Sequence, residues 1–346
     1  MMNLQSTRCS ATEVSNAIAS IPEGTQCCVT THRNADGDAL GSALAVWHVL
    51  RGRGVNARVI LPTPVPSNLA WLPGANSAEV YDAAVHNGYL ESVPTAVVVD
   101  LNTAARFAPV SDLLIRSSGY RIVVDHHVEP ELFAQCIHVN VESPATCAIL
   151  VDVLKSMLPD GFSKEIAQCL YTGIYTDTGG FRFPRTDGSL FRAVGELVDA
   201  GADPVLTHEQ LYNQTPRSRL VLLGKALASM QFYHQGATAV MALSQSDLTS
   251  HGATSEDLDG FVHHTLSIAG VDAGILIADL GPNVKISFRS KGEMYVRDIA
   301  ASYGGGGHVY AAGARVEGLP LDDVVTSVIE RVGLYRDSAR SMRSTP

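Results

Sequence analysis

The sequence predicts two α/β domains: a parallel-sheet unit over residues 1–195 and a smaller mixed-sheet α/β unit over 230–346, joined by a helical connector over 196–229. Three observations predict this. Apolar β-type runs alternate with helical patterns through the first half, as in βαβ units. From Gln231 onward that alternation gives way to paired strand signals. A chain of 346 residues is also long for a single core.

Strand signals recur at 26–32, 57–61, 95–100, 120–125 and 136–141. Helical patterns at 39–50, 146–157, 164–175 and 188–200 separate or follow them, the last closed by Gly201-Ala202-Asp203-Pro204. Residues 208–230 read as a long helix with polar interruptions, the core of the connector. Beyond it, 231–243 resembles a strand pair turning at Gln235-Gly236, and 255–268 a helix with Ser255 near its N-cap. Residues 273–279 and 283–290 form a hairpin around Gly281-Pro282-Asn283. A helix over 295–303 runs into four glycines and His308, and 321–334 supplies the last helix before a polar, frayed tail over 335–346.

Composition narrows the function classes. With 46% hydrophobic and 17% charged residues, this is a well-buried globular chain. No apolar stretch approaches the ~18 residues of a membrane span. The first residues lack the apolar core of a signal peptide, so a cytoplasmic protein with no membrane partner is expected. The six cysteines include no Cys-x-x-Cys pair, and neighbouring Cys27 and Cys28 should face opposite sides of one strand. They read as buried free thiols rather than a disulfide framework or zinc site. A net charge of −10 argues against binding long nucleic acid, while leaving room for a short nucleotide held by local contacts. Against that balance, 285–315 forms a basic island of Lys285, Arg289, Lys291, Arg297 and Arg315, which suits either an anion site or a solvated surface.

The chemistry concentrates where strands end. Cys-Cys-Val-Thr-Thr leads into His-Arg-Asn-Ala-Asp-Gly-Asp at 32–38, Ala-Val-Val-Val into Asp100, and Arg-Ile-Val-Val into Asp125-His126-His127. Three strands ending in acidic or imidazole groups point to one rim of a parallel sheet, where open α/β folds bind ligands. Carboxylates with imidazole favour Mn²⁺ or Mg²⁺ over a thiolate-rich zinc site. Each signal has a plainer reading: Asp36 and Asp38 suit helix capping, and Asp100 suits a turn. Asp177 ends a helical pattern, where a carboxylate opposes the helix dipole and needs a cationic partner, a metal or an arginine such as Arg182. The shared rim favours metal-assisted phosphoester hydrolysis, and no Ser-His-Asp pattern competes.

The pattern His32-x-x-x-Asp36-x-Asp38, Asp100, Asp125-His126-His127 and Asp177 resembles the DHH phosphoesterase family over nearly the whole chain. Gly305-Gly306-Gly307-His308-x-x-Ala311-Ala312-Gly313, with Ser287-Phe288-Arg289-Ser290 before it, is similar to the DHH-associated substrate domain. Size and domain order are most similar to the bacterial nano-RNase/pAp-phosphatase branch. The resemblance implies that His32, Asp36 and Asp100 hold one Mn²⁺, and that Asp38, Asp100, His126 and Asp177 hold a second, with Asp100 bridging and Mg²⁺ as the other candidate ion. It further implies that Asp125 tunes the histidine pair and that His127 stabilises charge or donates a proton beside the scissile phosphate. Two cations ~3.5–4 Å apart would make a shared hydroxide nucleophilic near neutral pH. Arg289, Gly305, Gly306, Gly307 and His308 would bind the substrate: glycine lets backbone amides approach a phosphate, and the cations add charge-assisted hydrogen bonds.

The expected activity is Mn²⁺-dependent hydrolysis of short oligonucleotides or linear dinucleotides such as pApA to mononucleotides, with removal of the 3′-phosphate of pAp at the same site. The substrate is expected in an interdomain cleft with a hinge near 196–230, and the resemblance makes a homodimer plausible. Two alternatives remain: a phosphatase specific for pAp or polyphosphate, and a nucleotide sensor without turnover. A sensor is expected to have lost ligands, whereas all six are present.

Overall fold

The β-branched runs of the first half become the interior of one parallel sheet in a computed structural model that describes residues 7–343. The chain divides into two units between Gln214 and Thr215. In chain order the first unit comprises β1 (Thr7–Arg8), α1 (Ala11–Ala19), β2 (Gln26–Thr30), α2 (Gly37–Gly52), β3 (Asn56–Leu61), β4 (Glu79–Val80), α3 (Ala83–Ser92) and β5 (Thr95–Val99). It continues through α4 (Val110–Arg116), β6 (Tyr120–Asp125), β7 (Cys136–Val139), α5 (Thr146–Lys155), α6 (Lys164–Asp177), α7 (Gly188–Asp199) and α8 (Pro204–Tyr212).

Its seven strands lie in the order β1-β7-β6-β5-β2-β3-β4, every neighbouring pair parallel. From β2 the chain builds outward to β3 and β4, then returns to the other side of β2 for β5, β6 and β7. The order therefore reverses between β2 and β5. The crevice beyond the carboxyl ends of such strands is where open α/β sheets bind ligands.

Alternation along the strands feeds two cores. Cys27, Val29, Val97, Val99, Ile122 and Val124 pack with α2, α5 and α6, while Cys28, Val98 and Val123 pack with Leu90, Val110 and Leu114 of α3 and α4. The two adjacent cysteines thus face opposite sides, as the strand period requires. Burying a leucine such as Leu40 or Leu44 of α2 contributes about 1.5–3 kcal/mol. α2 lies unusually close to α6 because both carry glycine at the crossing. A Cβ on Gly41 would sit 2.4 Å from the Cys169 carbonyl oxygen, and one on Gly173 would sit 2.2 Å from Cys147 Sγ. This approach brings Asp38, on the first turn of α2, towards Asp177, on the last turn of α6.

The second unit contains α9 (Arg217–Ala228), β8 (Gln231–Tyr233), β9 (Thr238–Leu243), α10 (Gln245–Thr249), α11 (His263–Leu266), β10 (Ala273–Asp279), β11 (Asn283–Ser290), α12 (Arg297–Ala301), β12 (Gly306–His308), β13 (Ala311–Glu317) and α13 (Leu321–Arg343). Its sheet order is β12-β13-β11-β10-β9-β8, mixed because β9 and β10 run parallel. Val284, Ile286 and Phe288 alternate with Lys285, Ser287 and Arg289 along β11, and the apolar set packs with α12 and α13.

Several expectations change. The long helix expected over 208–230 is broken: helical structure stops at Tyr212 and resumes at Arg217, where Pro216 is the N-cap and holds the residue before it out of helical geometry. The helix expected over 255–268 shrinks to His263–Leu266, since Gly260 takes a φ of 85°. The expected frayed tail continues α13 to Arg343, and its last three residues lie outside the described residues. So do residues 1–6, on which most of the N-terminal reading rests. Cys9 and Cys136 are disulfide-bonded rather than free, linking the end of β1 to β7 across 127 residues of sequence. Parallel edge pairing brings them together, and spacing alone could not reveal it. Cys27, Cys28, Cys147 and Cys169 are free and buried. Among the described residues no helix is long and apolar enough to cross a membrane.

Candidate metal centre

Every acidic and imidazole residue singled out at the strand ends reaches the β2/β5 reversal. The loop after β2 delivers His32 and Asp36. Asp36 does cap α2, accepting from the Ala39 amide at 3.0 Å through Oδ1, yet its Oδ2 lies 3.9 Å from His32 Nε2. Asp38 is 1% exposed and accepts the Thr146 and Cys147 amides at 2.7 and 2.8 Å, so the N-terminus of α5 holds its carboxylate. Asp100 follows β5 with φ at 59°, a left-handed conformation that costs on the order of 1 kcal/mol for a residue with a Cβ. Its amide is tied to the Val124 carbonyl at 2.9 Å and its Oδ1 accepts the Thr146 hydroxyl at 2.9 Å. Asp125 ends β6, His126 and His127 follow it, and Asp177 ends α6.

Three interlocking groups result: His32–Asp36–Asp100, Asp38–His126–Asp177 and Asp100–His126–His127, the ligand atoms of each within 4.8 Å of one another. His32 Nε2 lies 3.5 Å from Asp100, and His126 Nε2 lies 3.4 Å from Asp177, 3.6 Å from Asp100 and 3.9 Å from Asp38. Most of these separations are too long for good hydrogen bonds. They suit donors that converge on a common centre. The tautomers agree: His32 Nδ1 faces the Arg33 carbonyl at 2.9 Å and His126 Nδ1 the Ser143 carbonyl at 3.3 Å, leaving both Nε2 lone pairs inward. His32 Nε2 is buried with no hydrogen-bond partner. An orphaned imidazole nitrogen between the buried Asp100 and the exposed Asp36 carboxylates fits a cation, and the oxygen-rich donor set fits a hard divalent ion.

In the second unit, the register aligns Arg289 with Ala311 and Ala311 with His308, so Arg289 and His308 flank one residue on one sheet face. Two positions along, Ser287, Gly313 and Gly306 form the next row. A cavity of about 380 Å³ continues there, lined by Lys285, Ser287, Gly304, Gly305, Gly313 and Arg315. Gly305 and Gly307 are required by close backbone: a Cβ on them would lie 2.1 Å from the Gly313 oxygen and 2.5 Å from the Ala311 oxygen. Arg289 Nε donates to His263 Nε2 at 2.9 Å.

Both units match known protein domains. The model of the DHH family N-terminal domain matches residues 26–174, and that of the DHHA1 domain matches 235–333. The bifunctional oligoribonuclease and PAP phosphatase NrnA of Thermus thermophilus is 32% identical over 88% of both chains. The chain belongs to the DHH family. A protein of the same description from Bacillus subtilis is 25% identical over 82% of this chain and 87% of its own. An exopolyphosphatase-related protein of Bacteroides fragilis has a similar structure, with a TM-score of 0.82 and 28% identity over 95% of this chain and 97% of its own. As a DHH protein with a DHHA1 domain, the chain is a hydrolase acting on phosphoester bonds. Enzymes of the family are metal-dependent, and the donor groups above are this chain's candidate site.

The electrostatics of the DHH centre follow from its burial. Burial, then repulsion from Asp100 and Asp177, pushes the Asp38 carboxyl well up. Asp177 is pushed up to about 6, mainly by burial; His126 opposes the shift while Asp100 and Asp36 add repulsion. For Asp100 burial acts upward, but the imidazoles of His32, His127 and His126 outweigh it and hold the carboxyl below its usual value. A raised carboxyl favours the folded state most at low pH, so Asp177's contribution to metal-free stability is lost as pH rises towards 6. Binding a divalent cation needs the ionised form. Cation binding is therefore expected to release more protons at about pH 5.5 than at about pH 7.5, and to weaken as pH falls through that range. Calorimetric titration in buffers of different ionisation enthalpy measures the difference; equal release at both pH values would remove Asp177 from the ligand set.

Two features of the DHH centre escaped the sequence reading. Thr146 contributes its amide to Asp38 and its hydroxyl to Asp100; Ser-Pro-Ala-Thr ahead of a helical pattern was its only signal. Arg106 places Nη1 3.3 Å from His127 Nε2, while His127 Nδ1 bonds Asp125 at 2.7 Å. A guanidinium can only donate. His127 therefore carries its proton on Nδ1, held by a fully buried carboxylate, and turns Nε2 outward.

Proposed function

We propose that this chain is a Mn²⁺-dependent phosphodiesterase that hydrolyses short oligonucleotides or linear dinucleotides such as pApA to mononucleotides, and removes the 3′-phosphate of pAp at the same site. The observation that carries the reading is the overlap of three donor groups through Asp100 and His126. His32, Asp36 and Asp100 would hold one ion, and Asp38, Asp100, His126 and Asp177 the other. When bound, two such ions supply Lewis-acid charge for phosphate oxygens and lower the pKa of a water towards neutrality. The relatives described as oligoribonuclease and PAP phosphatase supply the substrate class.

The chain's own residues do the rest. Asp125 fixes the His127 ring through Nδ1, leaving Nε2 as the nitrogen that would face a leaving oxygen. For His127 to donate a proton there, Nε2 must be released by Arg106 and take up a proton, giving an imidazolium that the Asp125 carboxylate on Nδ1 stabilises. Arg289 and His308 would bind a terminal phosphate, and the amides around Gly305, Gly306 and Gly307 would line the nucleotide. With a net charge of −10, local grip of this kind favours substrates with few phosphates.

The test is hydrolysis of pApA and pAp with Mn²⁺ or Mg²⁺, followed by a length series from dinucleotides to strands of roughly 40 nucleotides. Turnover is expected to fall with length, and equal turnover across the series would refute the short-substrate claim. Cleavage of pAp or polyphosphate without pApA would move the assignment to a phosphatase, a reading that the exopolyphosphatase-related neighbour favours.

A further inference from the structure

We infer that Arg106 is a substrate-binding residue of the DHH centre, donating to a non-bridging phosphate oxygen beside His127. The inference rests on the phosphoesterase reading and adds a residue to it. Arg106 lies in the short 3₁₀ turn Ala104–Phe107 that follows Asp100. That turn is braced from two sides. The Arg33 amide donates to the Arg106 carbonyl and the Arg33 side chain to the Ala108 carbonyl, both at 2.8 Å. From the other side, Glu131 accepts the Ala104 amide at 2.8 Å, and Asn102 donates to the Val128 carbonyl at 2.8 Å. The backbone carrying Arg106 is thus fixed to the His32 loop and to the segment after His127.

Its guanidinium is not used as a structural arginine's would be. Arg121, 1% exposed, donates to the carbonyls of Leu114, Ser117, Gly119 and Phe133, and Arg58 grips the Glu79 carboxylate. Among the described residues Arg106 has no carboxylate partner, and its side chain makes one hydrogen bond, to the neutral ring nitrogen of His127. Most of its five N–H donors are open. The rim around it carries Asp36, Asp38, Asp100, Asp125 and Asp177, which repel an incoming phosphate until cations bind. A half-buried guanidinium at that rim, held by a weak and exchangeable acceptor, is matched to an oxyanion that arrives with the substrate. Turning to the phosphate also frees His127 Nε2 to face the leaving oxygen.

The test uses the full chain loaded with Mn²⁺, comparing wild type, Arg106→Ala and Arg106→Lys. Orthophosphate is titrated calorimetrically, and kcat/KM is measured on pApA and pAp. Arg106→Ala is expected to weaken orthophosphate binding about tenfold and to lower kcat/KM about 100-fold, with Mn²⁺ stoichiometry unchanged. Arg106→Lys, which keeps the charge but not the fork, should fall between. If Arg106→Ala does not fold, Arg106→Lys carries the comparison alone. Orthophosphate affinity unchanged in the variants overturns the assignment, even where turnover falls, because Arg106 is then only a brace for the turn. A wild type that fails to bind orthophosphate overturns it too. Should the wild type hydrolyse neither substrate while orthophosphate binding still depends on Arg106, the assignment stands and the nuclease reading fails.

Discussion

Asp100→Ala is expected to lower hydrolysis of pApA and pAp by at least about 10³-fold while leaving the protein folded. Asp100 is the carboxylate through which the donor groups meet: it belongs to two of the three and faces His32, His126 and His127. Losing it removes a ligand from both proposed ions at once. The fold should tolerate the change, since the variant deletes one charge from a crowded acidic cluster and relieves repulsion on Asp38 and Asp177. It does leave the Thr146 hydroxyl without its acceptor, at a cost of about 1–3 kcal/mol. The measurement pairs turnover with metal stoichiometry and thermal unfolding of the metal-free protein. Retention of more than a tenth of wild-type turnover would exclude the shared-carboxylate centre.

Gly173→Ala is expected to destabilise the first unit by about 2–3 kcal/mol and to weaken metal binding with it. In an unconstrained helix the same change would stabilise by roughly 1 kcal/mol, so the sign alone is informative. The new Cβ would meet Cys147 Sγ at 2.2 Å, Cys147 Cβ at 3.0 Å and the Asp38 Cα at 3.1 Å. Cys147 is fully buried and has nowhere to move. α6 must therefore back away from α2 and α5, carrying Asp177 away from Asp38. Adding Cys147→Ala removes the sulfur and should restore part of the loss, as expected for residues in contact. Denaturant unfolding of the single and double variants decides it: a stabilised Gly173→Ala would show that helix spacing does not set the centre.

Much of the first unit was legible because its strands are short apolar runs bounded by polar turns. β2, β3, β5, β6 and β7 fall within one or two residues of the runs that predicted them. The two-residue strands β1 and β4 carry too little pattern to be seen, and α1, α3 and α4 lie where no periodicity was read. In the second unit, the β8–β9 and β10–β11 hairpins were announced by their turn residues, whereas β12–β13 was read only as a glycine-rich run. Single residues through which a helix cannot run, Pro216 before α9 and Gly260 before α11, outweighed the longer helical patterns around them.

Local chemistry in the sequence determined which residues are candidate ligands, because strand ends place most of the Asp and His side chains at one rim whatever surrounds them. Its oxygen-rich donor set also pointed to a hard divalent ion and a phosphoester substrate. Tertiary structure decided the remainder. The α5 amides select the buried rotamer of Asp38, glycine at the α2–α6 crossing sets its distance from Asp177, and a turn braced by Arg33 and Glu131 brings Arg106 to His127. These contacts join residues far apart in the chain. Their energies depend on close packing and on hydrogen-bond geometry, and neither is fixed until the helices dock.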